Sequence, residues 1–264
     1  MVVNPFRRAL LERRITLGSW IQINNATAAE VLARAGFDWI GIDIEHTDID
    51  VTSLADVVRG MHGRGAVPVA RVADNELMAI RRALDIGVQG VLVPLINSAE
   101  EAQRAVAAAK YPPQGVRGFA FCRANNWGAD FDTYAQTANE EIAVVAMIES
   151  KAGVDHIAEI LAVDGIDGVF IGPYDMSGSY GIPGKTQHPL VQEACHQVVR
   201  ACQAAGKAAG LHIVKPTPEN IQQAIRDGFT LICLGVDTVF LNLAAAAARE
   251  MAQRVLAPLA APQH

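Results

Sequence analysis

The sequence lacks the features that mark several classes of protein. Its 264 residues carry 22 lysines and arginines against 28 aspartates and glutamates, a formal charge of −6, with no basic run. A surface for nucleic acid is therefore not expected. No apolar run reaches the length that a membrane-spanning helix needs. Residues 1–14 have no long apolar centre and do not resemble a signal peptide. We expect a cytoplasmic protein whose partners include neither nucleic acid nor membrane.

Cysteine is scarce as well. The chain has 4 cysteines and no C-x-x-C pair, which argues against a disulfide framework. Cys195 and Cys202 are seven residues apart, in step with the apolar residues of one helical face. We expect both to be buried thiols in a protein from a reducing compartment.

What the sequence does contain is a regular alternation of apolar runs and helix-period segments. Near-continuous apolar strands that alternate with helices indicate a parallel sheet covered by helices. Eight repeats in about 250 residues favour an α/β fold, a (β/α)8 TIM barrel, as a single domain over residues 1–264. The predicted strands are Thr16–Ile23, Asp38–Glu45, Val67–Val72, Gly90–Leu95, Ala143–Glu149, Gly168–Pro173, Lys207–Ile213 and Leu231–Asp237.

Two of these strands deliver a carboxylate to the carboxyl end of the barrel, where the chemistry of this fold takes place. Glu149 ends the fifth run, and Asp175 follows the sixth after Gly172, Pro173 and Tyr174. Carboxylates from neighbouring strands suit a hard divalent cation such as Mg²⁺ or Mn²⁺. The alternative is that they cap the following helices or pair with a basic side chain.

The second and third strands add a histidine and an arginine. Alternation along the second strand turns Asp43 and Glu45 toward the barrel mouth, and His46 follows directly. His46 could act as a general base, or only hydrogen-bond a loop. Arg71 could clamp a carboxylate or polarise a carbonyl, or simply pair with an acidic neighbour.

A Schiff-base mechanism would need a reactive lysine instead. Lys151 and Lys215 follow the fifth and seventh strands. Neither falls inside a strand end, where burial would lower the pKa of its ammonium group. We therefore favour the metal-dependent alternative.

Longer segments resemble the HpcH/HpaI aldolase family, metal-dependent pyruvate aldolases that act on 2-keto-3-deoxy acids and on 4-hydroxy-2-oxoheptanedioate-type substrates. The resemblance runs along nearly the whole chain. The motifs that carry it lie in Gly36–Trp39, Asp43–His46, Arg81–Pro94, Tyr111–Gly118, Val163–Ser177, Gly206–Ala208 and Gly235–Thr238.

The resemblance implies a class II aldolase that cleaves or forms the C3–C4 bond of 4-hydroxy-2-oxo acids. The products of cleavage would be pyruvate and an aldehyde, in aromatic or sugar-acid catabolism. It also implies a homo-oligomer, usually a hexamer, and a bound Mg²⁺, Mn²⁺ or Co²⁺ ion.

The same resemblance assigns roles to individual residues. Glu149 and Asp175 would hold the metal, and His46 would be the general base, with Asp85 raising its basicity. Arg71 would stabilise the enolate. The segment formed by Gly172, Pro173, Tyr174 and Asp175 would hold the carboxylate of pyruvate.

Departures from the family pattern bear on the substrate. Met147 replaces a frequent glutamine, Tyr174 a small residue and His212 an aliphatic one. Together with Trp20 at the end of the first strand and Arg123 in the long connection, they are candidate specificity residues. Two other functions stay open: an oxaloacetate-type decarboxylase or other carbon–carbon lyase that uses the same enolate site, and a catalytically silent ligand-binding barrel.

Overall fold

The computed structural model describes residues 3–257. Eight parallel strands form a closed barrel in which each strand pairs with the next and β8 pairs with β1. The predicted (β/α)8 barrel is confirmed. The outermost residues of the predicted domain, 1–2 and 258–264, lie outside the described part. The strands are β1 (Thr16–Ile21), β2 (Trp39–Asp43), β3 (Val67–Arg71), β4 (Gly90–Val93), β5 (Ala143–Ile148), β6 (Gly168–Ile171), β7 (Ala208–Ile213) and β8 (Leu231–Val236).

Each strand lies within its predicted run, but most runs extend a residue or two too far. Glu45 and Glu149 fall just beyond their strands, in the loops that lead to the next helix, and Asp237 is the first residue of the helix that follows the eighth strand. These polar residues therefore lie at the carboxyl end of the barrel.

Helices cover the outside of the barrel. Several begin at residues that favour a helix start, for example at Pro189 and, after the cap at Thr217, at Pro218. None of the helices in residues 3–257 is long and apolar enough to cross a membrane. The helices are α1 (Pro5–Leu11), α2 (Ala26–Ala33), α3 (Val51–Met61), α4 (Leu77–Ile86), α5 (Ala99–Ala109), α6 (Phe131–Glu141), α7 (Lys151–Asp155), α8 (Ile157–Ala162), α9 (Pro173–Ser179), α10 (Pro189–Ala205), α11 (Pro218–Asp227) and α12 (Asp237–Leu256).

The strands separate two hydrophobic cores. Outward-facing side chains such as Ile40 and Ile42 pack with the helices, whereas Trp39, Val145 and Met147 fill the interior of the barrel. This partition is the one that side-chain alternation predicts. The interior is tightly packed: a Cβ atom on Gly18 would lie 2.1 Å from Cε2 of Trp39.

Helix α1 closes the amino end of the barrel. Its Phe6 and Leu10 side chains are buried with the interior residues. Asn4 caps this helix, and its amide donates to the backbone carbonyls of Gln89 and Glu141 at 2.8 and 2.7 Å. With this end closed, ligands have access from the opposite end, where the strands finish.

Helix α12 is the exception to the packed outer layer. Of its 20 residues only Asp237 is buried. Leu241, Met251 and Val255 are 64%, 69% and 66% exposed. Spacings of three and four residues align Leu241, Ala244, Ala248, Met251 and Val255 along one apolar stripe.

Candidate active site

A cavity of about 150 Å³ opens at the carboxyl end of the barrel. Residues from six strands or their following loops line it, so the site depends on closure of the whole barrel. The cavity brings together most of the predicted site residues: Trp20, Arg71, Met147, Glu149, Gly172, Pro173, Tyr174, Asp175 and His212.

Arg71 is held on one side of this cavity by Asp43. The two residues are paired in register on β3 and β2. The Nε and Nη2 atoms of Arg71 donate to Oδ1 and Oδ2 of Asp43 at 3.0 and 2.7 Å, a bidentate ion pair. The guanidinium also lies 5.0 Å from the centroid of the Trp20 ring. These contacts fix its orientation before any ligand binds.

Asp43 remains ionised although it is fully buried. Burial opposes ionisation, but the hydrogen bonds and the charge of Arg71, helped by the Gln22 amide, lower the pKa of this carboxyl below its usual value. The N–H groups of Glu45 and His46 also donate to Oδ1, both at 3.2 Å. Asp43 therefore positions Arg71 and the turn that carries His46.

Glu45 joins Arg71 to His46. Its Oε2 atom lies 3.3 Å from Nε of Arg71 and 3.4 Å from Nε2 of His46. This buried oxygen nevertheless has no hydrogen-bond partner within the described chain. Burial raises the pKa of Glu45. This oxygen can accept a further hydrogen bond, and the His46 ring beside it is exposed.

Glu149 is the most deeply placed acid that lines the cavity, with only 5% exposure. Burial, with the nearby charges of Glu45 and Asp175, raises the pKa of Glu149 to about 7. One oxygen accepts from the Leu95 N–H at 3.0 Å. The other lies where a Cβ on Gly172 would come within 2.6 Å, so this position requires glycine.

The cavity has an excess of negative charge, from Glu149, which is buried, Glu45, which is half-buried, and Asp175, which is exposed. Glu45, Glu149 and Asp175 interact with one another, and Arg71 is already engaged by Asp43. Across residues 3–257, no three His, Cys, Asp or Glu side chains converge to complete a metal site. Glu149 and Asp175 are the residues that could hold a cation here, and two protein ligands would leave positions open, as is typical of catalytic sites.

Three predicted site residues do not line this cavity within the single chain. His46 adjoins it through Glu45, whereas Asp85 and Arg123 lie elsewhere. Asp85 lies near the end of α4, which runs from the carboxyl end of β3 to the amino end of β4. Its carboxylate accepts from Nη2 of the buried Arg117 at 2.7 Å. Arg123 lies beside the same helix end and donates to the carbonyl of Ile86 at 2.9 Å. Both are therefore at the opposite end of the barrel from His46.

Other residues support the site through tertiary contacts, which sequence motifs do not reveal. The Gln22 amide donates to Asp43 at 3.0 Å, and Asp237 accepts from the backbone N–H groups of Gln22 and Ile23. The position of Gln22 at a strand end was a signal of its role. No sequence feature indicates the role of the Leu95 N–H. Leu95 has a φ of 55°, which is uncommon for leucine and cannot be deduced from residue type.

Comparison with known proteins connects this geometry to a family. The sequence profile of the HpcH/HpaI aldolase/citrate lyase family matches residues 16–244. The chain belongs to this family. It is also 37% identical over 235 residues to 5-keto-4-deoxy-D-glucarate aldolases from strains of Escherichia coli, covering 89% of this chain and 91% of theirs.

Solved structures of HpcH/HpaI proteins have the same fold. A family member from Burkholderia cenocepacia is 33% identical, with a TM-score of 0.91 over 95% of this chain and 100% of that one. An HpcH/HpaI aldolase from Desulfitobacterium hafniense is 27% identical, with a TM-score of 0.86 over 97% of each chain. The expected family is confirmed, and this HpcH/HpaI protein is a carbon–carbon lyase.

We predict that replacing Arg71 by methionine destabilises the protein by about 3–5 kcal/mol at pH 7, because Asp43 would remain buried without its cation. Urea unfolding followed by circular dichroism measures this difference. The double variant Arg71→Met/Asp43→Asn should recover much of the loss.

The matched control is Arg59→Met, which removes an exposed arginine paired with Asp56. Pairs of this kind contribute little, so its unfolding midpoint should stay close to that of the parent. Equal destabilisation by both arginine variants would show that the buried ion pair has no special role.

Proposed function

We propose that this chain is a class II aldolase that requires a divalent metal and cleaves or forms the C3–C4 bond of 4-hydroxy-2-oxo acids. The products of cleavage are pyruvate and an aldehyde. The main observation in support is the cavity that combines a fixed guanidinium, Arg71, with the acids Glu149 and Asp175. Membership of the HpcH/HpaI family gives the reaction class.

Glu149 and Asp175 are the proposed metal ligands, with Mg²⁺ or Mn²⁺ as the ion and Co²⁺ as an alternative. The buried Glu45 oxygen without a hydrogen-bond partner and the raised pKa of Glu149 both indicate that the site carries too much negative charge alone. When bound, the metal supplies Lewis acidity toward the carboxylate and 2-oxo oxygens of the keto acid.

Arg71 stabilises the negative oxygen that develops as the C3–C4 bond breaks. Its fork is already oriented by Asp43 and Trp20, so little reorganisation accompanies the reaction. The turn from Gly172 to Asp175 receives the pyruvate carboxylate, since Pro173 begins α9 and the N–H groups of Tyr174 and Asp175 lie in its first turn.

His46 removes the proton of the C4 hydroxyl in the cleavage direction and returns it in the addition direction. The Oε2 atom of Glu45 lies 3.4 Å from Nε2 and orients the ring. Met147, Trp20 and His212 line the same cavity and shape the space around the bound substrate.

A sugar acid is the substrate class that we favour, by similarity to the 5-keto-4-deoxy-D-glucarate aldolases. A cytoplasmic location agrees with the four free cysteines. Decarboxylation of a keto diacid remains the alternative, because it forms the same enolate.

A homo-oligomer, by family a hexamer, explains two features that a single chain leaves without a function. The exposed apolar stripe of α12 needs a partner surface. Asp85 could act on a His46 only if the two belong to different subunits, because they lie at opposite ends of one barrel.

The proposed reaction predicts metal-dependent release of pyruvate from 4-hydroxy-2-oxo acids such as 5-keto-4-deoxy-D-glucarate. Pyruvate is measured with a coupled dehydrogenase, before and after treatment with EDTA, and activity should return on addition of Mg²⁺ or Mn²⁺. Activity that survives chelation, together with a Schiff base that borohydride reduces and traps, would contradict the metal mechanism. It would favour a reactive lysine such as Lys151 or Lys215.

The proposed base predicts that His46→Ala lowers kcat by about a hundredfold to ten-thousandfold. Binding of Mn²⁺, followed by titration calorimetry, should be unchanged, since His46 is not a proposed ligand. His62→Ala, which removes another exposed histidine, serves as control. Full turnover in His46→Ala would exclude the base assignment.

The proposed assembly predicts that Leu241→Asp/Met251→Asp yields smaller particles than the parent protein. Placing charges on the α12 stripe should prevent its burial against another subunit. Light scattering coupled to size exclusion measures the mass, with Gln253→Asp on the same helix as control. A monomeric parent chain would contradict the assembly.

A further inference from the structure

Arg117 is a buried cation beside the end of α4. It belongs to the long connection between α5 and α6, and its side chain is fully buried. Its guanidinium carbon lies 4.6 Å from the ring centroid of Tyr111 and 5.7 Å from that of Tyr134. Aromatic rings attract a cation, but a buried charge still needs an opposite charge to offset its desolvation.

Asp85 provides that opposite charge. Nη2 of Arg117 donates to Oδ1 of Asp85 at 2.7 Å, and within residues 3–257 no other carboxylate lies within 4.0 Å of the guanidinium. The remaining nitrogens have a weaker partner or none. Nη1 donates to the Tyr134 hydroxyl at 3.3 Å, and Nε has no hydrogen-bond partner in the described chain. The carboxylate and the guanidinium therefore fix each other's position.

The second oxygen of Asp85 is left free. Among the described residues no group donates to Oδ2, and the side chain is 21% exposed. Because Arg117 holds Oδ1 from the buried side, the free oxygen is directed toward the surface. It can accept a hydrogen bond from a group outside the chain.

Other titratable groups near Asp85 do not replace Arg117. Arg81 and Arg82 lie one turn earlier on α4, and neither forms an ion pair with Asp85 within 4.0 Å. Burial raises the pKa of three further neighbours, which are therefore uncharged at pH 7: Tyr111, Cys122 and Tyr134. Arg117 is thus the charged group that sets the orientation of the carboxylate.

The surface around this pair is apolar. Val116 precedes Arg117, Phe119 and Phe121 follow it, and all three apolar side chains are exposed. Exposed apolar groups around a carboxylate indicate a surface that another protein molecule covers. A second copy of this chain suits it, since its exposed His46 ring offers a donor to the free oxygen of Asp85.

We propose that Arg117 is a positioning residue for the general base, holding Asp85 so that its free oxygen meets His46 of a second copy of the chain. This inference rests on the proposed aldolase function and on the proposed assembly. During cleavage the proton of the C4 hydroxyl moves to His46, and the aligned carboxylate stabilises the imidazolium that forms. Arg117 exchanges no proton and touches no substrate.

Three variants separate this role from a purely structural one: Asp85→Asn, Arg117→Met and the double variant. Each full chain is supplied with Mg²⁺, and pyruvate release from 5-keto-4-deoxy-D-glucarate is measured. Each single variant should lower kcat about ten- to hundredfold with little change in KM, because the base is misaligned while the substrate contacts remain. The double variant leaves no unpaired buried charge, so it should fold even if a single variant does not. Its kcat should match that of Asp85→Asn within about twofold, since Arg117 acts through Asp85.

The pH profile of kcat/KM gives a readout that a structural role would not change. Its acidic limb reports protonation of the base. An aligned carboxylate stabilises the protonated base, so the limb should move to lower pH in Asp85→Asn and also in Arg117→Met. Glu45, the acid that faces His46 within its own chain, is retained in every variant. The control is Tyr134→Phe, which keeps the ring beside Arg117 and should leave the limb in place.

An unmoved acidic limb in Arg117→Met, or a double variant much slower than Asp85→Asn, would show a structural role alone and overturn the proposal. Full activity of Asp85→Asn would overturn it as well. All three results leave the aldolase function intact, which is contradicted instead if the parent protein releases no pyruvate.

Discussion

The bidentate ion pair between Asp43 and Arg71 connects the fold of the barrel to its chemistry. It forms because β2 and β3 are in register, with side chains of the same parity facing the interior. Asp43 also accepts from the turn that carries Glu45 and His46. A single buried carboxylate thus orients the guanidinium, the neighbouring acid and the proposed base. The arrangement is rigid before substrate binds, which favours stabilisation of a developing charge.

The rest of the cavity has negative charge that basic side chains do not balance. Arg71 is the one lysine or arginine that lines the cavity in the described chain, and Asp43 already engages it. Glu45, Glu149 and Asp175 are left with no comparable partner, and the pKa of Glu149 rises to about 7. A divalent cation and an anionic keto acid would be bound together more readily than either alone, since each offsets the charge that disfavours the other.

Much of the fold and part of the site follow from the sequence in physical terms. The apolar runs and their alternation predicted eight strands, the turn of Asp43 toward the barrel mouth and the positions of Arg71 and Glu149 at the carboxyl end. These features depend on local order and on closure of the barrel. Asp85 and Arg123 depend instead on the paths of α4 and the long connection. Their location at the amino end, in contact with Arg117 and Ile86, could not be deduced from spacing.

Stabilisation of the pyruvate enolate in this cavity can be measured with pyruvate alone, in D₂O with Mg²⁺, from the loss of the methyl signal in proton NMR spectra. We expect the parent protein to catalyse this exchange without any aldehyde. Arg71→Lys, which keeps the charge but loses the bidentate geometry, should slow the exchange at least about tenfold. Exchange no faster than in buffer, or equally fast in this variant, would show that the cavity does not stabilise the enolate in this way.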